Sequence, residues 1–81
     1  MLVTVLTPAG KVFEGEAESL ILPAIDGEMG ILKNHAPLIA ALGSGKLELR
    51  LEEGIQNYQI SEGIVEVNQN VINILTEKAV A

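Results

Sequence analysis

The stretch DGEMGILKNHAPL, residues 26–38, holds the residue types of this chain that could do chemistry. It contains two of the eight glycines, two of the eleven acidic residues, one of the three prolines and the only histidine, His35. A histidine beside a carboxylate can act as a general base or bind a metal ion. The stretch therefore raises four alternatives: a catalytic loop, a metal site, a tight structural corner or a docking surface.

A catalytic loop would use His35 as a general base, with Asp26 or Glu28 orienting its ring and a serine as the nucleophile. None of the serines lies in the G-x-S-x-G context that exposes a nucleophile on a sharp turn. The serines are Ser19, Ser44 and Ser61. The sequence therefore gives no catalytic assignment.

A metal site would draw on Asp26, Glu28 and His35. A site of two histidines and one carboxylate needs a second histidine, and the chain has only one. An all-oxygen site needs more carboxylates within one loop. There is no cysteine to supply a thiolate. We therefore assign no catalytic, cofactor-binding or metal-binding residue, and we expect no cofactor.

A structural corner explains the composition of this stretch more simply. Gly27 and Gly30 would supply backbone freedom for a tight hairpin or a bulge. Pro37 would fix the entry to the next strand. The apolar residues are expected to pack in the core: Met29, Ile31 and Leu32. A docking surface stays open as well, because irregular loops on a rigid framework often carry function.

Composition and charge limit the classes of partner. Eighty-one residues make one domain, and the net charge is −6 with only five scattered basic residues. This charge argues against binding to nucleic acid or anionic lipid. The N-terminus lacks a signal-peptide pattern, and no apolar run approaches the roughly 20 residues of a membrane-spanning helix. We expect a soluble, intracellular chain without direct membrane insertion.

Alternating apolar and charged residues predict strands. The clearest case is the segment from Lys46 to Glu52, in which three leucines alternate with charged side chains. Such a pattern is typical of an antiparallel strand with one buried and one solvated face. Residues 63–77 read as a hairpin, with a turn at residues 68–70.

Turn signals recur every 8–12 residues along the rest of the chain, which is typical of an all-β sandwich or barrel. Residues 34–42 could instead begin a helix at Asn34, although Pro37 biases Ala36 towards extended geometry. Residues 76–81 are too few to assign. We predict an all-β fold.

The stretch GEMGILKNHAPLIAAL resembles the motif G-E-x-G-(I/V)-L-x-x-H-A-P-L of the epsilon subunit of rotary F-type ATP synthases. TPAGKVFEGEAESLILPAIDGEMG is similar to the opening of that family, and SEGIVEVNQNVINILTEKAV to its later segment. The likeness runs from Val3 to Val80 in the family's order and spacing. This chain departs from the family at Lys33-Asn34, where many members have Pro-Gly, and at Glu62, where glycine is common.

The resemblance implies the fold, which is a flattened β-sandwich or barrel of about ten short strands in two five-stranded sheets. It implies that residues 1–81 form a single epsilon-type N-terminal domain. Family members usually continue into a regulatory C-terminal helical hairpin, whereas this sequence stops at Ala81. We accordingly expect the 81-residue chain to support coupling without inhibiting hydrolysis through its own C-terminus or binding ATP.

The resemblance also implies a function. The chain would be a non-catalytic rotor subunit in the central stalk, monomeric when isolated. It would link the gamma subunit to the c-subunit ring, so that ion-driven rotation is coupled to ATP synthesis. It would sit peripherally on the cytoplasmic face of an energy-transducing membrane. An unrelated β-sandwich interaction module is the alternative, and an enzyme or ligand-binding barrel is a third hypothesis.

The same resemblance implies two groups of contact residues. The first group matches the motif segment that lies near the c-ring loops: Gly27, Glu28 and Met29. The second group matches the segment near the gamma interface: His35, Ala36 and Pro37.

Overall fold

The computed structural model describes all 81 residues as ten strands without a helix. The strands are β1 Leu2–Thr7, β2 Gly10–Glu16, β3 Ser19–Ala24, β4 Gly27–Leu32, β5 Leu38–Leu42, β6 Gly45–Leu51, β7 Gly54–Ile60, β8 Gly63–Asn68, β9 Val71–Thr76 and β10 Ala79–Val80. No helix is present that has the length and apolarity needed to cross a membrane.

Hydrogen bonding is continuous through all ten strands, which divide into two halves of five that we call the first and the second sheet. The first sheet has the order β4-β3-β6-β7-β10, and the second has the order β5-β8-β9-β1-β2. They join where Ala24 of β3 pairs with Leu42 of β5. All pairings are antiparallel except that of β1 with β9. The prediction of an all-β fold of about ten short strands in two sheets is confirmed.

The alternating pattern of β6 shows how the sequence selects the buried face. Leu47 and Leu49 have no exposed surface, whereas Lys46 and Arg50 are exposed. A one-residue slip would move both leucines to solvent, so the hydrophobic pattern fixes the register against β3 and β7. The predicted hairpin is also confirmed, because β8 and β9 are joined by the two residues Gln69 and Asn70.

One aliphatic cluster fills the space between the two sheets. Its twelve largest fully buried side chains come from eight strands: Leu20, Leu22, Ile31, Leu42, Leu47, Leu49, Ile60, Ile72, Ile74, Val3, Val5 and Val65. Phe13 and Tyr58 meet edge to face, with ring centroids 6.3 Å apart. The chain's only aromatic pair is thus used for internal packing.

Three expectations for residues 26–42 are corrected or resolved by the structure. Leu32 does not pack in the core but is 67% exposed, because it alternates with the buried Ile31 on β4. Gly30 lies within β4 opposite Ile21 and has no positive φ, so no hairpin or bulge depends on its freedom. The possible helix in residues 34–42 is instead an irregular connection followed by β5, which begins directly after Pro37.

Candidate protein-interaction site

The hairpin between β3 and β4 presents the first group of predicted contact residues. Its tip consists of Ile25 and Asp26, both exposed, followed by Gly27 with a φ of 123°. A φ in this region favours glycine because a Cβ would clash with the backbone. Glu28 follows opposite Pro23, and its carboxylate is exposed. No salt bridge holds the Glu28 carboxylate, so it can pair with a cationic or hydrogen-bond donor group of a partner.

Met29 differs from its two neighbours in the first group. It pairs with Leu22 across β3 and is half-buried against the aliphatic core. Its side chain therefore belongs chiefly to the interior. Glu28 provides the exposed side chain of this group, and Gly27 provides exposed main chain.

The connection between β4 and β5 carries the second group. The His35 amide donates to the Leu32 carbonyl oxygen at 3.1 Å, closing a turn. His35 Nδ1 lies 2.7 Å from the Ala36 carbonyl oxygen. A carbonyl oxygen can only accept, so Nδ1 carries the hydrogen in this contact. Ala36 and Pro37 are exposed, and His35 is half-buried.

A pair of asparagines ties this connection to the turn between β8 and β9. The Asn34 amide donates to Asn70 Oδ1 at 2.7 Å, and Asn70 Nδ2 donates to Asn34 Oδ1 at 3.0 Å. Both residues have left-handed backbones, with φ of 67° and 62°. Asparagine tolerates this region better than most residues. The partner of Asn34 in this pair is 36 residues away in the sequence, so the pair could not be predicted.

Strand β4 separates the two groups. Glu28 lies near the start of β4, and the turn that contains His35 begins at Leu32, the last residue of the strand. Four residues of extended strand span about 13 Å. The two predicted contact groups therefore lie at opposite ends of one strand.

The outer face of the second sheet presents exposed aliphatic side chains that the sequence analysis did not assign to a site. In-register pairing aligns residues of four strands into one row: Ala41, Ile64, Leu75 and Leu6. We call these four residues the apolar row. Ile64 and Leu75 are 44% and 43% exposed although they pair directly. The sequence could have revealed them, because apolar residues occur at both the inward-facing and the outward-facing positions of β8 and β9.

Acidic residues border the apolar row. Glu66 lies beside it on β8 and pairs with Asn73. At the row's end, Glu62 and Glu77 line an open cavity of about 480 Å³ together with Leu6 and Leu75. On the β5 side, a groove of about 400 Å³ contains Pro37 and Ile39. The face therefore combines aliphatic surface with negative charge and continues into the second contact group.

No group of three or more histidine or acidic side chains could hold a metal ion together. The potential ligands considered in the sequence, Asp26, Glu28 and His35, thus form no such cluster. Asp26 and Glu28 flank the start of β4, and His35 follows its end.

Comparison with known proteins identifies the family. The whole chain, residues 1–81, matches the profile described as the ATP synthase delta/epsilon chain, β-sandwich domain. It is 44% identical over 75 residues to the ATP synthase epsilon chain of Leptospira borgpetersenii, covering 93% of this chain and 59% of that one. It is 40% identical over 77 residues to the chloroplastic epsilon chain of Tetradesmus obliquus, covering 95% and 57%. The chain thus spans just under three fifths of the length of these relatives.

Solved structures show the same fold. A chain in the mitochondrial ATP synthase of Euglena gracilis superposes with a TM-score of 0.92 at 30% identity, covering 99% of this chain and 52% of that one. A chain in the central stalk and c-ring structure of Tetrahymena thermophila superposes with a TM-score of 0.84 at 17% identity, covering 98% and 64%. The second likeness concerns the fold alone. Together with the profile match over the full chain, these comparisons show that the chain belongs to the family of the ATP synthase delta/epsilon chain β-sandwich domain.

Proposed function

We propose that this chain is a non-catalytic rotor subunit that links the gamma subunit of an F-type ATP synthase to its c-subunit ring. Its role is to hold these two parts together so that ion-driven rotation is coupled to ATP synthesis. Family membership supports this role over that of an unrelated interaction module. The solved structures it resembles are described as ATP synthase assemblies that include a c-ring.

One structural observation carries the proposal: the two predicted contact groups lie at opposite ends of β4. A subunit that joins two partners needs two separate surfaces on a body that does not deform between them. Strand β4 pairs along its whole length with β3, and Ile31 anchors it in the core. Load applied at one end is therefore transmitted to the other through a hydrogen-bonded ladder and close packing.

The c-ring side of the proposal uses Gly27, Glu28 and Met29. Glu28 reaches polar or basic groups on the ring loops, and Gly27 permits the tight turn that presents it. Met29 contributes by holding this end of β4 against Leu22. A charged contact of this kind favours correct orientation more than raw affinity.

The gamma side uses His35, Ala36 and Pro37, extended by the apolar row on the adjoining outer face. Leu75 and Ile64 expose aliphatic surface to water, and burial of that surface against a partner contributes about 25 cal/mol per Å². The acidic border makes pairing of two copies of this face unfavourable, because it would bring glutamates together. A partner surface with aliphatic and basic side chains is the complement, and the isolated chain stays monomeric.

The location follows from the same assignment. As part of an ATP synthase complex, the chain is a peripheral subunit on the cytoplasmic face of the energy-transducing membrane. No cofactor and no nucleic acid take part in this role. Torque passes through protein contacts, and catalysis takes place on other subunits.

Co-purification tests the proposal. The tagged chain is mixed with purified gamma subunit, with purified c-ring and with both, and the complexes are separated by size. The proposal predicts a stoichiometric complex with gamma and a more stable one when the ring is present. Absence of binding to gamma at micromolar concentration, with a folded chain, contradicts it. An unrelated β-sandwich domain of similar charge serves as the control.

A further inference from the structure

The connection between β4 and β5 has few hydrogen bonds of its own. Within residues 33–37, the main chain makes one turn bond, from the His35 amide to the Leu32 carbonyl. The His35 ring bonds to the neighbouring Ala36 carbonyl, so it does not tie the connection to another strand. The two hydrogen bonds between Asn34 and Asn70 provide that tie.

The two hydrogen bonds run in opposite directions, and the two asparagines contribute different atoms to them. Asn70 accepts from the main-chain amide of Asn34 and donates through its side-chain amide. Asn34 contributes its main-chain amide and its side-chain oxygen, but not its side-chain nitrogen. A glycine in place of Asn34 could adopt the same backbone but would offer no Oδ1 acceptor. The full reciprocal pair is thus built from side-chain atoms that glycine lacks.

We propose that the Asn34–Asn70 pair is a positioning device that holds His35, Ala36 and Pro37 in the arrangement that binds the partner. This inference rests on the proposed function, which assigns those three residues to the gamma interface. Asn34 and Asn70 touch no partner in this account. They act by restricting the connection before binding.

The physical reason is the difference between global and local stability. Both hydrogen bonds are exposed, so their loss changes unfolding of the whole domain little. A connection with one remaining main-chain bond opens locally far more often than the strands do. If the binding arrangement is populated only part of the time, the apparent affinity falls by that fraction.

The two hydrogen bonds can be tested with two substitutions that both suit a left-handed backbone. Asn34→Asp keeps every atom that the pair uses, because a carboxylate oxygen accepts as well as the amide oxygen does. Asn70→Gly removes both the acceptor and the donor that Asn70 supplies. Aspartate tolerates left-handed geometry as asparagine does, and glycine adopts it readily.

The first measurement uses the free chain. Amide hydrogen exchange at residues 34–36 is expected to speed up on the order of three- to tenfold in Asn70→Gly and to stay near the original rate in Asn34→Asp. Thermal unfolding should change little in both. Equal exchange rates in the two variants overturn the inference, whether or not any partner binds. Should Asn70→Gly prove unfolded, Asn70→Ala removes the same side-chain donor and acceptor without adding charge, and the same faster exchange is expected.

The second measurement is binding of each variant to purified gamma subunit with c-ring. Asn70→Gly is expected to bind on the order of three- to tenfold more weakly, and Asn34→Asp within about twofold of the unchanged chain. Faster exchange with unchanged binding would show that the pair is structural only, which overturns the inference. If the unchanged chain itself fails to bind, the proposed function fails, and the exchange data still decide whether the pair restrains the connection.

Discussion

Gly63, the first residue of β8, lies directly against the main chain of Leu75 on β9. A Cβ built on Gly63 would overlap the Leu75 carbonyl oxygen and approach both the Leu75 carbonyl carbon and the Thr76 Cα to 2.9 Å. Backbone atoms cannot rotate away as a flexible side chain can. The close approach belongs to the same strand pair that presents Ile64 and Leu75 in the apolar row.

Gly63→Ala should therefore destabilise the domain by about 3 kcal/mol or more, because β8 and β9 must separate to admit a methyl group. Urea unfolding followed by circular dichroism measures this. Gly30→Ala is the matched control, since nothing lies within 4 Å of a Cβ at Gly30. Its free energy of unfolding should change by about 0.5 kcal/mol or less. Equal losses for the two variants would contradict the packing described for Gly63.

The turn between β8 and β9 contains a residue type that is poorly suited to its backbone conformation. Gln69 and Asn70 both have positive φ, 51° and 62°, which defines a two-residue hairpin turn that favours Asn or Gly. Gln69→Asn should raise stability by about 0.5 kcal/mol, seen as a rise in melting temperature of roughly 2–4 °C. Asn70→Gly makes the turn equally favourable but removes the bonds to Asn34, so it should show no such gain. A gain at position 70 as large as that at position 69 would contradict the assignment of Gln69 as the less favourable residue of the turn.

The sequence predicts the faces of the strands better than their partners. Period-2 alternation identifies the buried leucines of β6 and the hairpin of β8 and β9, because both signals are local. It cannot predict that β3 pairs with β4 and β6 and then meets β5 at Ala24, or that β1 lies parallel to β9. Those pairings depend on contacts between distant segments.

In the candidate site, too, local features could be predicted from the sequence and contacts between distant segments could not. Gly27 lies at a turn, Glu28 near the exposed start of a strand, and Pro37 directly before a strand, as their residue types predict. Leu32 was assigned to the core by its hydrophobicity, and the strand's alternation instead turned it outward. The Asn34–Asn70 pair and the apolar row could not be predicted, because each is formed by cross-strand neighbours far apart in sequence.

Glu28→Lys tests the c-ring side of the account. An exposed carboxylate without an ion-pair partner contributes roughly 0–1 kcal/mol to folding, so the melting temperature should change little. Coupling should weaken, because reversal places like charges together where the ring loops are basic. The ratio of protons pumped to ATP hydrolysed in the assembled enzyme measures this. Glu53→Lys, on the turn between β6 and β7, is the charge-matched control and should leave the ratio unchanged.

The gamma side is tested with the apolar row. Leu75→Ser is expected to weaken binding to purified gamma by on the order of tenfold, since it replaces aliphatic area with a hydroxyl at the proposed interface. Ile55→Ser supplies the comparison: Ile55 is 52% exposed but lies on the outer face of the first sheet. Both variants should remain folded. An equal effect of the two on binding would show that the outer face of the second sheet is not the interface.

The most direct test of a linking role is a hydrogen-exchange footprint of this chain in complex with gamma alone and with gamma and c-ring together. The account predicts protection of residues 35–41 and of the apolar row with gamma alone. Protection at residues 26–29 should appear only when the ring is added. Protection confined to one of these regions in the full assembly, or centred on the outer face of β6 and β7, would contradict the claim that the chain joins the two parts of the rotor.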